Sequence, residues 1–323
     1  MFSIRNRSGG ARPIGVQISV PLSCLSVSSS ALSDTPFYTE NSPIKQQQIP
    51  QQNKQRTYAK KALGQHFLMD RRIVGRILRA AEISPNDTVV EVGPGMGSLT
   101  VDLVDQAARV ITIEIDQDLA SRLSAALTDR MNFTMVTGDA RHVDLSTLID
   151  EAKYTMVANL PYYAASPIIR RFLETAPRPS RMVVMVQREV ANEMIAQPGK
   201  MRVLSVATQI YGHPQLVCNV PPSAFRPSPK VSSSVIRIDL YNQPAVKFDS
   251  KEDFFHLVRA AFSSPRKQIH NSLKRGLDKS PDSTQAMLNQ AGIDLTRRPQ
   301  TLSIPEWGNL YNAYRKIETA ARN

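Results

Sequence analysis

The sequence predicts an α/β fold in which a doubly wound parallel sheet precedes a small all-helical domain. Three observations predict it: short apolar runs alternate with helical patterns, a glycine-rich turn at 93–97 follows the first run, and strand-like patterns end near Lys251. We therefore expect an α/β domain over residues 58–246 and a helical domain over residues 247–323. Residues 1–57 are expected to form a separate tail.

The tail is expected to be disordered because serine, glutamine and proline dominate residues 1–57. A segment of this composition cannot bury enough apolar surface to offset the conformational entropy lost on folding. Its first 33 residues contain three arginines and no acidic residue, which fits an organellar transit peptide, a basic arm or a misassigned start codon. We expect a cytoplasmic protein, or an organellar one if residues 1–33 are a transit peptide.

The elements of the α/β domain follow from hydrophobic periodicity. Apolar residues at helical spacing over 73–81 indicate a first helix. Five short apolar runs then predict strands, and helical patterns at 98–106 and 119–127 separate the first three. The predicted strands are 88–92, 110–114, 133–136, 154–158 and 182–186. Two later runs, at 215–220 and 234–238, are typical of an antiparallel pair, and periodic helices complete the chain.

The net charge of +12 is concentrated at the two ends of the chain. Residues 1–61 carry +6 and residues 247–323 carry +5, whereas the residues between them carry only +1. This arrangement favours a polyanionic partner that is bound from outside the central domain.

The two cysteines, Cys24 and Cys218, are far apart in sequence. They cannot form a disulfide framework or a zinc cluster, so we expect a reducing compartment. No apolar run reaches the roughly 18 residues that a membrane-spanning helix needs, and we expect no membrane partner.

A ligand site is predicted where three successive strands end. The glycine-rich turn lets the backbone approach a ligand closely, a feature shared by dinucleotide sites and plain tight turns. Glu114 ends the next strand, where a carboxylate can accept hydrogen bonds from both ribose hydroxyls, as in NAD enzymes. Asp139 follows the third strand and can accept the amino group of a bound adenine. This third contact favours S-adenosylmethionine as the cofactor, with Gly93 and Gly95 of the turn among its contacts.

The turn Asn159-Leu160-Pro161-Tyr162 follows the fourth predicted strand and indicates chemistry on a nucleobase. An adenine N6 amine is a poor nucleophile because its lone pair is delocalised into the ring. If the Asn159 side chain and the Leu160 or Pro161 carbonyl accept its two N–H groups, a pyramidal, more nucleophilic nitrogen is favoured. Tyr162 can stack on the base, which must first leave its RNA stack. Since S-adenosylmethionine is already activated, orientation is the main task and no metal is expected.

From about residue 60 to its end, the chain resembles the rRNA adenine N6-dimethyltransferase family, most closely the bacterial small-subunit (KsgA-type) branch. The motifs that carry the resemblance are Leu-Gly-Gln-His-Phe-Leu at 63–68, Glu-Val-Gly-Pro-Gly-Met-Gly-Ser-Leu-Thr at 91–100, Asn-Leu-Pro-Tyr at 159–162 and Phe-Arg-Pro-Ser-Pro-Lys-Val at 225–231. The resemblance implies a Rossmann-like S-adenosylmethionine-dependent methyltransferase sheet with a small C-terminal all-α domain.

The resemblance also implies roles for individual residues. His66 and Leu68 are expected to cover the cofactor from the N-terminal side, and Asn159 to lie between the cofactor and the target base. Gly93 is expected at the methionine end, Glu114 at the ribose and Asp139 at the adenine. Phe225 resembles a second aromatic that holds the target adenine against Tyr162.

RNA contacts are implied on the C-terminal helices. The segment 262–273 is similar to a family segment, although Pro265 stands where the family usually has an arginine, which removes one expected phosphate contact. The predicted RNA-binding residues are Arg266, Lys267, Lys274 and Arg275, and Asn271, Arg297 and Arg298 extend the same surface. Phosphate contacts position RNA without reading its sequence.

The implied activity is N6,N6-dimethylation of two adjacent adenosines in the hairpin loop near the 3′ end of small-subunit (16S) rRNA. The expected partner is a 30S-type subunit precursor, and the protein is expected to act as a monomer. Two alternatives share the fold: a large-subunit (23S) rRNA methylase of the macrolide-resistance type, and a non-catalytic organellar nucleic-acid-binding factor. A third, an NAD-linked oxidoreductase, leaves the Asn-Leu-Pro-Tyr turn without a role.

Overall fold

The computed structural model describes residues 65–149 and 153–320. The predicted tail over 1–57, with Cys24, lies outside the described residues, as do the first two residues of the 63–68 motif.

A seven-stranded sheet forms the centre of the molecule. Its strands are β2 (Thr88–Val92), β3 (Arg109–Glu114), β4 (Phe133–Thr137), β5 (Thr155–Asn159), β6 (Arg181–Gln187), β7 (Gly212–Val220) and β9 (Ser233–Leu240). They are ordered β4-β3-β2-β5-β6-β9-β7. The first five are parallel, whereas β9 is antiparallel to both β6 and β7. The predicted doubly wound sheet and late antiparallel pair are therefore confirmed.

Ten helices lie among the described residues. In the α/β part they are α1 (Arg71–Ala81), α2 (Thr100–Gln106), α3 (Gln117–Ala126), α4 (Ala165–Glu174), α5 (Arg188–Met194) and α6 (Val203–Gln209). The C-terminal part contains α7 (Lys251–Phe262), α8 (Ile269–Gly276), α9 (Pro281–Gln290) and α10 (Ile304–Ala320). None of them is both long and apolar enough to cross a membrane.

The first helix begins two residues earlier than its apolar stripe predicts. Asp70 caps it by accepting a hydrogen bond from the Arg72 N–H at 2.9 Å, so the polar first turn belongs to the helix. At the other end, Glu82 adopts a left-handed conformation with φ 49° and its N–H bonds to the Leu78 carbonyl.

A short two-stranded ribbon, β1 (Phe67–Leu68) with β8 (Phe225–Arg226), was not predicted. Leu68 pairs with Phe225 in antiparallel register. Strands of two residues carry no hydrophobic period, so only the tertiary structure reveals this pairing. It joins the segment before α1 to the segment before β9.

The hydrophobic core lies on both faces of the sheet. Neighbouring residues Val89 and Val90 are both fully buried, and they belong to different apolar clusters. Because successive side chains of a strand point to opposite faces, a strand covered on both sides must be apolar throughout. This explains why the parallel strands could be predicted as continuous apolar runs.

The helical part begins where the sheet ends, since β9 ends at Leu240 and α7 begins at Lys251. One apolar cluster extends from the sheet into these helices and includes Val246, Phe254 and Trp307. Val246 packs so closely on α10 that a Cβ at Gly308 would lie 3.0 Å from its methyl carbon. The division into domains at residue 246 stays a prediction.

Candidate cofactor and substrate site

The predicted ligand residues line one cavity at the carboxyl ends of β2, β3, β4 and β5, the edge at which α/β sheets bind ligands. Its empty volume is about 990 Å³, including the space at its open mouth, and it is therefore large enough for a small molecule. Every residue predicted for the cofactor or the target base lines it, namely His66, Leu68, Gly93, Gly95, Glu114, Asp139, Asn159, Leu160, Pro161, Tyr162 and Phe225. Their individual roles stay predictions.

The floor of the cavity is the glycine-rich turn between β2 and α2. Gly93 and Gly95 have φ angles of 70° and 58°, which non-glycine residues rarely adopt. A Cβ at Gly95 would lie 3.1 Å from the Phe67 ring, so a side chain there would meet the ribbon. The Gly93 N–H bonds to the Ile113 carbonyl at 2.9 Å, which fixes the turn against β3.

Glu114 is anchored by the same turn. One of its carboxylate oxygens accepts the Gly95 N–H at 3.1 Å and the other accepts the Asp116 N–H at 3.0 Å. Burial raises the pKa of this carboxyl, and the two backbone hydrogen bonds oppose the rise. The carboxylate is held at the end of β3 and keeps further acceptor capacity for hydroxyl groups.

Asp139 is paired within its own turn. The Arg141 side chain bonds to both carboxylate oxygens, with Nε 3.0 Å from one and 2.9 Å from the other, and the Arg141 N–H donates at 2.9 Å. These hydrogen bonds lower the pKa of Asp139. The side chain is therefore ionised at neutral pH, and both of its oxygens are hydrogen-bond acceptors.

The segment 65–68 covers the cavity and contacts the Asn159 turn. The Asn159 amide donates to the His66 carbonyl at 3.3 Å, and the rings of His66 and Tyr162 have centroids 5.6 Å apart. The His66 Nδ1 donates to the Pro227 carbonyl at 2.8 Å. Gln65 also reaches Asp116, with 2.9 Å between the amide nitrogen and a carboxylate oxygen.

The turn after Asn159 is ordered by backbone bonds. The Leu160 N–H donates to the Met185 carbonyl at 3.1 Å, and the Pro161 carbonyl accepts the Ala164 N–H at 3.0 Å. Since the Pro161 carbonyl already has a partner, the Leu160 carbonyl is the better candidate acceptor of the two that the sequence leaves open.

The two predicted aromatic residues differ in their surroundings. The Tyr162 hydroxyl is 2.8 Å from the Ser233 hydroxyl, and burial raises the pKa of the phenol. Phe225 is only 1% exposed and packs in the cluster beneath the ribbon. In this structure the ring beside Tyr162 is His66, and the sandwich of Tyr162 with Phe225 stays a prediction.

Sequence reasoning gave no role to Glu91, which also lines the cavity. It is 1% exposed and accepts a hydrogen bond from the Thr100 hydroxyl at 2.7 Å. Burial raises its pKa to about 8, and the nearby Glu114 adds to the rise. The available signal was a glutamate between Val90 and Val92 in a strand that is buried throughout.

The predicted RNA-binding residues Arg266, Lys267, Lys274 and Arg275 are all exposed, before and along α8. The expectation for Arg297 needs correction: its guanidinium is paired with Glu306 and bonds the Thr301 carbonyl at 2.7 Å. Its charge is therefore compensated within the helical part, unlike that of the exposed Arg298.

Across 65–149 and 153–320, no cluster of histidine, cysteine or acidic side chains is arranged to hold a metal ion.

Comparison with known proteins gives a consistent result. Residues 56–316 match the family model described as "Ribosomal RNA adenine dimethylase". A protein named Ribosomal RNA small subunit methyltransferase A from Dehalococcoides mccartyi is 42% identical over 257 residues, covering 79% of this chain and 88% of the relative. A protein of the same name from Moorella thermoacetica is 42% identical over 263 residues, covering 78% and 91%.

Solved structures share the fold. A dimethyladenosine transferase from Plasmodium falciparum has a TM-score of 0.66 at 25% identity and covers 78% of this chain and 98% of its own. The 23S rRNA methyltransferase ErmE has a TM-score of 0.61 at 28% identity and covers 76% and 98%.

Proposed function

The chain belongs to the ribosomal RNA adenine dimethylase family, and we propose on this premise that it dimethylates N6 of two adjacent adenosines in small-subunit rRNA. These adenosines lie in the hairpin loop near the 3′ end, and each becomes N6,N6-dimethyladenosine. One observation carries the proposal: the Asn159 turn lines the same cavity as the glycine-rich turn, Glu114 and Asp139.

The residues present fit S-adenosylmethionine. The glycine-rich turn lines the cavity with positive-φ glycines that let the backbone approach a ligand, and Glu114 and Asp139 stand at the ends of neighbouring strands. Gly93 and Gly95 would hold the methionine end, Glu114 the ribose and Asp139 the adenine. His66 and Leu68 would cover the cofactor from the ribbon side. When bound, S-adenosylmethionine supplies a methyl group on a positively charged sulfur.

Asn159 and Leu160 prepare the target amine. The Asn159 NH₂ group is directed to the His66 carbonyl, which leaves its oxygen free for one N–H of the adenine amine. The Leu160 carbonyl accepts the other. When each N–H of the amine has its own acceptor, the nitrogen lone pair is drawn out of conjugation with the adenine ring. The lone pair is then available for in-line attack on a methyl group.

Tyr162 holds the base after it leaves the RNA stack. Its hydroxyl contact with Ser233 fixes the ring at the mouth of the cavity. A base that stacks on an aromatic ring regains part of the free energy lost on unstacking. Phe225 supplies the opposite face in this proposal.

The small-subunit assignment rests on relatives named Ribosomal RNA small subunit methyltransferase A at 42% identity over 78–79% of this chain. The substrate is a small-subunit precursor, bound by a monomer whose cations at 266–275 contact phosphates. The site of action is the cytoplasm, with an organelle as the alternative.

Transfer of labelled methyl from S-adenosylmethionine, offered separately to purified small subunits and to large-subunit rRNA, tests the proposal. Digestion of the product to nucleosides should give N6,N6-dimethyladenosine from the small subunit. The same product from large-subunit rRNA alone would assign the chain to the resistance-type activity. No transfer to either, with RNA binding intact, would indicate a non-catalytic factor.

A further inference from the structure

A loop beside the cavity contains two basic residues and has no assigned role. Residues 226–232, here called the rim loop, run from the end of β8 to the start of β9. They include Arg226 and Lys230 and no acidic residue. The rim loop belongs to the 225–231 motif, of which only Phe225 has been given a function above.

The rim loop is fixed next to the proposed target-base site. Its Pro227 carbonyl accepts a hydrogen bond from His66 at 2.8 Å, and His66 is the ring neighbour of Tyr162. At its far end, Ser232 precedes Ser233, whose hydroxyl contacts Tyr162 at 2.8 Å. Each end of the rim loop is therefore connected to the Tyr162 ring through one intervening residue. That residue is His66 at the first end and Ser233 at the other.

A third cation meets the rim loop from the neighbouring strand. Arg188 begins α5, directly after β6, and its N–H donates to the Ser232 carbonyl at 3.0 Å. Its acidic neighbour Glu189 lines a different cleft, the one that Arg266 also lines. Arg226 thus begins the rim loop, the backbone of Arg188 contacts its last residue, and Lys230 lies between these two points in the chain.

The side chains of these three residues are available for a ligand. All three residues are exposed, and within the described parts of the chain none of them forms an ion pair. The Arg226 guanidinium donates one hydrogen bond, to the Phe225 carbonyl at 3.2 Å, and keeps its other donors for a ligand. Two other arginines, by contrast, are paired with acidic side chains: Arg141 with Asp139, and Arg202 with Glu193. Val231, next to Lys230, is 45% exposed and offers an apolar contact on the rim loop.

We propose that Arg188, Arg226 and Lys230 form a phosphate-binding patch that holds the RNA backbone on the nucleotides flanking the target adenosine. The inference rests on the proposed function, because it presumes that an RNA base enters the cavity. It adds a second RNA contact, on the methyltransferase part itself, to the predicted one at 266–275.

The patch has a physical task that differs from that of the cations at 266–275. Turning a base out of its stack costs a few kcal/mol, and the strand must stay in place while the base is out. Phosphate contacts fix the register and orientation of a nucleic acid. Cations next to Tyr162 hold the nucleotides on either side of the extruded base, whereas cations on α8 hold the rest of the RNA.

The test compares the full chain with a triple variant, Arg188→Gln, Arg226→Gln and Lys230→Gln. Methyl transfer is measured on purified small subunits and on naked small-subunit rRNA over a range of salt concentrations. We expect the KM for either RNA substrate to rise about tenfold near 150 mM salt, while the Kd for S-adenosylmethionine stays within twofold. The slope of log kcat/KM against log salt should become shallower by about 2, since each lost single-strand contact removes about 0.7.

A matched variant removes the same charge elsewhere: Arg76→Gln, Lys153→Gln and Lys316→Gln. These residues are exposed on α1, before β5 and on α10. Their loss should leave the KM and the salt slope near the wild-type values. Equal effects in both triple variants would overturn the patch and leave only a general dependence on charge.

Two further results separate the patch from the proposed function. A loss confined to assembled subunits, with naked rRNA methylated normally, would overturn the RNA contact in favour of a protein contact. Absence of methyl transfer by the wild-type chain would contradict the proposed function alone. In that case the salt slopes of RNA binding, measured for both triple variants, would still decide the patch.

Discussion

The side-chain amide of Asn159 donates a hydrogen bond to the backbone carbonyl of His66 at 3.3 Å. This bond connects the end of the fourth parallel strand with the segment that covers the cavity. It also directs the Asn159 oxygen away from residues 65–68 and toward the position that we propose for the adenine amine. In the proposed function, one side chain therefore links the cofactor cover with the base site.

Replacement of Asn159 by alanine should slow methyl transfer far more than it weakens cofactor binding. The variant loses an acceptor for the target amine, and removal of one preorganised hydrogen bond at a reacting group costs about 10²–10³ in rate. Single-turnover rates with saturating RNA, together with calorimetric binding of S-adenosylmethionine, measure the two effects. Unimpaired transfer by Asn159→Ala would exclude the proposed role of this side chain.

Asn159→Asp distinguishes the two functions of this side chain, which are to accept an N–H from adenine and to donate to the His66 carbonyl. The carboxylate can still accept an N–H from adenine, but it cannot donate to the His66 carbonyl. We expect a rate between those of the wild type and Asn159→Ala, with weaker cofactor binding than either. The same two measurements apply.

Tyr162 should act through its ring more than through its hydroxyl. Tyr162→Phe keeps the stacking surface and loses only the contact with Ser233, so we expect a change of about threefold or less in KM for RNA. Tyr162→Ala should raise the KM by about tenfold or more, since stacking contributes roughly 1–3 kcal/mol per base. Ser233→Ala is the matched control and should resemble Tyr162→Phe. A large loss in Tyr162→Phe would instead assign a chemical role to the hydroxyl.

The helical part should lose stability in acid through Glu306. Its pKa is lowered from 4.5 to about 2, first by the Arg297 side chain and also by hydrogen bonds from Ser303. The folded state therefore binds this proton less readily than the unfolded state, and its contribution is full above pH 4.5 and lost as the pH falls toward 2. Because the pair is partly exposed, we expect Glu306→Gln to cost only about 1–2 kcal/mol at pH 7.

Trp307 provides the measurement, since it is the single tryptophan of the chain and is fully buried in the helical part. Urea unfolding is followed by Trp307 fluorescence at pH 7 and pH 3. The difference in the free energy of unfolding between wild type and Glu306→Gln should be smaller at pH 3 than at pH 7. Glu252→Gln is the control, because Glu252 is exposed and lies 3.9 Å from Lys251. A difference in the free energy of unfolding that is equal at pH 7 and pH 3 would show that protonation of Glu306 does not control this stability.

The strands of the sheet were predictable because both of its faces are covered. The predicted strand 88–92 coincides with β2, and the prediction for 133–136 differs from β4 by one residue. Helix ends were less accurate, since caps such as Asp70 are polar residues outside the apolar stripe. The ribbon of Phe67–Leu68 with Phe225–Arg226 could not be predicted from periodicity, because two residues define no period.

The sequence predicts that the site residues lie together, as they do around one cavity, but it does not predict the contacts among them. Strand order places Glu114 and Asp139 at one edge, because the ends of parallel strands meet there. The Asp139 pair with Arg141 and the Arg297 pair with Glu306 depend on rotamers that a sequence does not specify. Glu91 was overlooked for a related reason, since its significance lies in its burial.

Glu91 should make the free protein less stable as the pH rises from about 4.5 to about 8. Burial raises its pKa from 4.5 to about 8, so the folded state keeps a proton that the unfolded state has already released. The folded state then binds more protons, and the free energy of unfolding falls with rising pH. Glu91→Gln keeps an acceptor for the Thr100 hydroxyl and cannot ionise, so its free energy of unfolding should not fall over this pH range. At pH 8, the free energy of unfolding of the variant should exceed that of the wild type by a few kcal/mol.

Unfolding without cofactor at pH 5, 6.5 and 8 tests this, because Glu91 lines the cavity and a ligand would alter its surroundings. The two proteins should be similarly stable at pH 5 and diverge toward pH 8. Thr100→Val is the informative control: it removes the hydrogen bond that favours the ionised form, so the decline should persist and extend to higher pH. Parallel pH dependences of wild type and Glu91→Gln would show that Glu91 is ionised in the folded protein, held by contacts that offset its burial.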